Sequence, residues 1–219
     1  GPARVTLSEA LSERERLFGL THPLVAEARV ALAGVDFARG RPSTALIASL
    51  DAERTSLDHL RATVRYLPER QALTFAANRP RGLDLALSAV LSGSAHQAAR
   101  VYDIVIRARG VILDELAARG RSASISDPQL AALNADVIRA RQRFANLLVR
   151  SLEDPGSRSV LDESRQQKED AERELALRSA EARAEVAQAS IGFDEVRGAL
   201  PPGAVLVSFV RYARSARPA

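Results

Sequence analysis

Ser126-Asp-Pro-Gln-Leu-Ala-Ala-Leu-Asn-Ala-Asp-Val-Ile-Arg-Ala-Arg-Gln-Arg-Phe-Ala-Asn-Leu-Leu148 places Leu130, Leu133, Val137, Ala140, Phe144, Leu147 and Leu148 at intervals of three and four. That spacing draws one stripe along an α-helix, whereas on a strand it would scatter the same residues over both faces. The stretch therefore predicts an amphipathic helix with one buried side. Ser126-Asp127-Pro128 opens it as a cap with proline at the first helical position. Asp154-Pro155-Gly156-Ser157 stops it.

Working outward, the pattern repeats on both sides. Upstream, a long helix over about residues 95–119 carries Val101, Ile104, Val105, Ala108, Val111, Ile112 and Leu116 on one stripe and ends at Gly120. Downstream, a third helix over about 159–190 has only a thin seam of Val160, Leu161, Ala171, Leu175, Ala182 and Val186 among charges. A thin seam implies a helix packed on one side and wet on the other, in coiled-coil style. Truncating Ile104 or Phe144 is expected to cost on the order of 2–5 kcal/mol. Shorter helical pieces fill 57–91, punctuated by Pro68, by 79–82 and by 92–94, and a short helix spans Phe193–Leu200. With 46% hydrophobic but only 4% aromatic residues, and neither Trp nor Met, the core is one of packed aliphatic helices.

Residues 22–57 read as a helix pair. The first helix spans His22 to Ala38 with Pro23 in its first turn, and the break falls at Arg39-Gly40-Arg41-Pro42-Ser43. Ala33, Ala45 and Ala52, with Gly40 in the turn, have the spacing of a tetratricopeptide (TPR) repeat, although Arg29, Asp36 and Ser49 occupy positions where that repeat prefers large apolar residues. No second copy follows at that period, so this is one terminal, atypical repeat. Leu200-Pro-Pro-Gly-Ala-Val-Leu-Val-Ser-Phe-Val-Arg-Tyr212 closes the helical pattern with a turn and a β-branched, aromatic run. One strand cannot make a sheet. It is expected to be the first strand of a further domain, and here to be disordered, paired with a copy of itself in a homodimer, or covered by the helices. The expected fold is thus all-α: a TPR-like pair over 3–57, a helical bridge and antiparallel long-helix bundle over 58–200, and one orphan β-strand within 201–219. Gly1-Pro2 resembles the scar left by a tag-removing protease and is set apart from the fold.

The chain has 31 cationic and 27 anionic residues, net +4, and Lys168 is the only lysine. Residues 1–57 balance at seven of each sign, while 58–150 carry fourteen cations against eight anions. Residues 151–195 reverse this with six against twelve. A basic block beside an acidic helix predicts pairing within the chain, so nucleic acid is not needed to explain the arginines. The cluster Arg107, Arg109, Arg139, Arg141 and Arg143 is assigned to that pairing, and RNA binding is the lesser alternative.

No catalytic, metal or cofactor site is expected. Zero Cys excludes disulfides, thiolate zinc sites and a Cys nucleophile within these residues. His22, His59 and His96 form no metal-ligand spacing. Ser94 beside His96 lacks the setting of a hydrolase nucleophile and reads as a helix cap. Arg39-Gly40-Arg41 could cradle a phosphate but is explained as an interhelical turn. No apolar run reaches membrane-span length and no signal peptide is visible, so a cytoplasmic protein is expected.

The segments Arg65–Leu73, Leu83–Ser88, Val101–Asp114, Ala140–Leu147, Lys168–Ala176 and Phe193–Val210, in that order behind a degenerate TPR unit, resemble the bridge between repeats and caspase-like domain in bacterial TPR-CHAT proteins. The resemblance covers roughly 22–212. It implies that Val205–Tyr212 is the first strand of a caspase-like domain, which in that family is read as a cysteine protease with a His–Cys dyad. Neither dyad member maps onto this chain. The resemblance therefore implies a non-enzymatic scaffold that links repeats to that domain and positions or regulates it. The alternative is a TPR-type module binding an acidic peptide, with Arg61 and Arg65 as the partner-binding residues.

Overall fold

The computed structural model describes residues 2–93, 95–125, 127–151, 158–183 and 191–215. In chain order its helices are α1 (Pro2–Phe18), α2 (Pro23–Ala38), α3 (Pro42–Val64), α4 (Glu69–Asn78), α5 (Leu83–Leu91), α6 (Ala98–Ala108), α7 (Val111–Ile125), α8 (Pro128–Ser151), α9 (Arg158–Arg183) and α10 (Phe193–Ala199). A single 3-10 turn, Ala95–Gln97, precedes α6. Among the described residues there is no β-strand, so the all-α expectation holds. The chain divides into two compact units that interleave along it: residues 1–60, 78–109 and 189–219 form one, and residues 61–77 and 110–188 form the other.

The core of the first unit lies where the sequence placed small residues. Ala33, Ala45 and Ala52 are buried, and Val25, Phe37, Leu46, Leu50 and Leu57 close around them. Gly40 turns the chain between α2 and α3 at φ 73°, a region a Cβ disfavours. His22 caps α2: its Nδ1 accepts the Leu24 N–H at 3.2 Å, and Pro23 follows as the first helical residue. Asp36 and Ser49 are buried but satisfied. The Ser49 hydroxyl donates to the Ala45 carbonyl at 2.6 Å, and Asp36 accepts from Arg4 at 3.0 Å. Arg4 comes from α1, which docks on α2 largely through polar groups: Arg14 donates to the Leu24 carbonyl and to Glu27, and Arg29 to Glu15.

Two expectations are corrected. The helix expected over 95–119 is two helices, broken at Arg109–Gly110, where Gly110 adopts φ 71°. Val101, Ile104 and Val105 are buried in the first unit, whereas Val111, Ile112 and Leu116 belong to the second. Gly120 does not stop α7, which runs on to Ile125, because an interior glycine costs a helix only about 1 kcal/mol. The second correction concerns the orphan strand. Residues 204–215 form neither helix nor ladder, since a ladder needs a second strand and no described residue supplies one.

In the second unit α8 and α9 run antiparallel, with Leu130 and Val137 of α8 packed on Leu175 of α9 and Leu133 and Ala171 at the edge of the cluster. Arg141 reaches Glu172 at 2.9 Å and Arg143 reaches Gln167 at 3.1 Å, which fixes their register. Lys168 and Arg165 lie over the Phe144 ring at 5.7 and 5.8 Å. The expected cap at Ser94, the cap at Ser126, the stop at 154–157 and helix residues 184–190 with Val186 lie outside the described residues, as does the side chain of Ala182.

Candidate interaction sites

Four buried or half-buried charges hold helix ends, and they account for acids that might otherwise suggest catalysis. A helix N-terminus leaves amides without acceptors and carries partial positive charge, so a carboxylate placed there satisfies both. Glu53 of α3 accepts from Gly82 N at 2.7 Å and Leu83 N at 3.1 Å at the start of α5, and from Arg79 at 2.6 Å. Glu172 of α9 accepts from Glu69 N at 2.9 Å, where α4 begins, and from Arg141. Asp103 of α6 accepts from Phe193 N at 2.9 Å, at the start of α10, and from Arg107 at 2.8 Å. Desolvation is the largest influence on Asp103 and acts upward, but Arg107 and the Phe193 N–H together outweigh it and leave the carboxyl below its ordinary range. The hydrogen bond from Arg70 lowers Glu169 in the same sense. Arg119 does the converse: its buried guanidinium donates to the Leu67 carbonyl at 3.0 Å and to the carbonyl of Val64, the last residue of α3.

The sequence cluster of five arginines is thereby dispersed. Arg107 serves Asp103, and Arg109 donates to the Phe209 carbonyl at 2.6 Å. Arg141 bridges Glu69 and Glu172, while Arg139 turns outward to Asp136. Pairing of the basic block with the acidic helix is found at Arg70–Glu169 and Arg141–Glu172.

The C-terminal segment lies on α5 and α6. Tyr102 and Ser208 share a hydrogen bond of 2.8 Å, and Ser215 N donates to Ser88 Oγ at 3.0 Å. Ser208, Val210 and Tyr212 are half-buried, while Val205, Val207 and Phe209 are 83%, 67% and 89% exposed, the period-two pattern of an extended chain. None of the amides from Val205 to Arg214 donates a hydrogen bond to a described residue. Beneath the segment is a mostly apolar cavity of about 570 Å³, walled by Leu87, Val90, Val101, Val105 and Phe193.

A larger apolar cleft of about 820 Å³ lies where α1, α2 and α3 converge. Leu11, Leu20, Leu32 and Ile47 line it, with Arg29, Asp51 and Arg54 also on its walls. Leu20 and Ile47 are 62% and 47% exposed. Sequence reading missed this cleft, because Ile47 sits on the face of α3 opposite the buried stripe and α1 was not anticipated. Arg61, half-buried in the last turn of α3, and Arg65, exposed just beyond it, line neither this cleft nor the C-terminal cavity. Among the described residues no group of His, Asp and Glu is arranged to hold a metal ion. No described helix is long and apolar enough to cross a membrane. No protein-family model, no curated protein and no solved structure matches the chain.

Proposed function

We propose that the chain is a non-catalytic helical scaffold that presents an edge for pairing with a sheet-containing domain, linking TPR-like repeats to a caspase-like domain as in TPR-CHAT proteins and positioning it. The observation that carries this reading is the segment Val205–Tyr212. It is anchored on helices by one side, while its other side offers Val205, Val207 and Phe209 together with unpaired amides. Such an edge is a template for a neighbouring strand. The test is to read and express the coding sequence beyond Ala219. The reading expects further short strands, a His and then a Cys, and amides 205–211 that exchange rapidly in this chain but become protected when that sequence is attached. A stop codon directly after Ala219, or exchange that stays rapid, overturns it.

A second reading, a peptide-binding module, is favoured by the α1–α2–α3 cleft, whose apolar floor suits a short peptide with aliphatic side chains. It expects Ile47→Asp to abolish capture of such peptides from a random library while helical content is unchanged. An identical capture profile from both proteins rules it out.

A further inference from the structure

The outward face of the α8/α9 hairpin carries two matched rows of opposite charge. On α8, Arg139, Arg143, Asn146 and Arg150 stand at i, i+4, i+7 and i+11, with Gln142 and Leu147 beside them, and together they wall a shallow cleft of about 480 Å³. On α9, Glu163, Gln167, Asp170 and Glu174 repeat the same spacing. Each row is one helix stripe about 16 Å long. All eight residues are exposed. Neither row shares a residue with the seam to α7, which is built from Asn134, Val137, Arg141, Glu172 and Leu175 together with Leu116 and Arg119.

The register follows from the Arg141–Glu172 pair. In an antiparallel hairpin it sets Arg139 level with Glu174, Arg143 with Asp170, Asn146 with Gln167 and Arg150 with Glu163. The Arg143–Gln167 hydrogen bond puts both rows on the same side. Within one chain the rows run side by side and their members find closer partners: Arg139 pairs with Asp136, and Asp170 with Arg173. Arg150 and Glu174 make no ion pair with any described residue.

We infer that this face joins two copies of the chain, the basic row of each lying over the acidic row of the other about a two-fold axis parallel to the helices. That operation keeps height along the helix and exchanges left with right, so each Arg of one copy meets the carboxylate already level with it, and Asn146 meets Gln167. The contact is isologous and closes at two copies. A polyanion such as RNA is disfavoured, because a strand laid on the arginines would run beside Glu163, Asp170 and Glu174 one helix spacing away, about 8–10 Å. Half-buried Leu147 and Ala171, level with the middle of the rows, would supply the apolar centre.

The experiment is sedimentation of the whole chain across a concentration series. The wild type is expected to double in mass at low salt, with an association constant falling about tenfold or more near 0.5 M NaCl. Arg143→Glu with Arg150→Glu turns the α8 row net acidic like its neighbour, and Asp170→Arg with Glu163→Arg, the carboxylates level with those two positions, turns the α9 row net basic like its neighbour. Each double variant is expected to be monomeric with unchanged helical circular dichroism, and a one-to-one mixture to restore the dimer. A wild type monomeric up to about millimolar concentration, variants that still self-associate, or a mixture that stays monomeric overturns the proposal. A single-stranded RNA oligonucleotide that binds the wild type and not the acidic double variant would replace the second copy with a polyanion.

Discussion

The fully buried Glu53 carboxylate accepts the Gly82 backbone N–H at 2.7 Å, so α5 begins on a charge held inside α3. Leu83 N and the Arg79 guanidinium, whose side chain is 11% exposed, share the same carboxylate, and the Ser56 hydroxyl donates to the Pro80 carbonyl beside it at 2.7 Å. Removing one partner of such a set leaves the others desolvated and unmatched. Glu53→Ala is expected to lower stability by about 3–5 kcal/mol, and adding Arg79→Ala should cost less than the sum of the two singles. Urea unfolding followed by circular dichroism measures both. Strict additivity would mean that the guanidinium does not depend on Glu53.

Gly82 is required by proximity. A Cβ built there would overlap the Ser49 carbonyl oxygen in the α3 backbone, which cannot move aside as a flexible side chain can. Gly82→Ala is expected to destabilise by about 1–3 kcal/mol. Gly34, inside α2, has open space where a Cβ would go. Gly34→Ala should stabilise by about 0.5–1 kcal/mol, because alanine has the better helix propensity. Melting curves of the two variants should therefore shift in opposite directions, and a common direction would refute the contact.

Arg119 closes α3 as Glu53 opens α5. Its guanidinium reaches the Val64 and Leu67 carbonyls and also Glu115 at 3.2 Å, a fork that a lysine ammonium cannot reproduce. Arg119→Lys is expected to cost about 1–3 kcal/mol by taking a guanidinium donor from the half-buried Leu67 carbonyl. Faster amide exchange at the start of α4 would accompany it, and unchanged stability would show that the charge alone matters.

The acid limb of stability follows from Asp103 and Glu169, both lowered in the fold, the first by contacts that overcome its desolvation and the second chiefly by Arg70. For a lowered carboxyl the unfolded chain takes up protons first, so this stability is complete above about pH 4 and is lost as pH falls through the folded values. His59 acts in the same direction at higher pH. Burial, aided by the charge of His22, lowers it, so stability is full above about pH 6.5 and declines as the unfolded imidazole protonates. Unfolding free energy measured between pH 8 and pH 3 should fall in two stages, and His59→Gln should remove the upper one. A flat profile between pH 7 and 5 in the wild type would contradict the burial of His59.

The helices that were legible bury aliphatic stripes: α8 reads correctly because Leu130 and Val137 are its buried residues, and α2 and α3 because alanines mark their approach. α1 was not legible, since it docks through Arg4, Arg14 and Glu15 and so lacks an apolar period. The break at Gly110 was hidden because Val111 and Leu116 continue the helical phase of Ile104 and Ala108 across it. The arginine cluster misled for a related reason. Arg139 and Arg143 share a face of α8, whereas Arg141, two residues from each, points to the other side and is consumed by Glu69 and Glu172. Val205–Tyr212 showed its strand propensity, but a strand's partner is a property of other residues.

The same separation distinguishes two residues that the stripes treat alike. Ile104 is fully buried in α6, so Ile104→Ala removes methylenes from a packed site and should cost about 2–5 kcal/mol. Phe144 is only half-buried, and its ring is covered by the Arg165 and Lys168 side chains, not enclosed by aliphatic ones. Those flexible stems can settle into the space it leaves, so Phe144→Ala should cost closer to about 1 kcal/mol, the loss of a partly exposed cation–π contact and some area. Parallel urea titrations of the two variants decide the point. Equal losses near the upper figure would place Phe144 in a closed core and require α8 and α9 to pack more tightly at that end than the Leu130–Val137–Leu175 cluster implies.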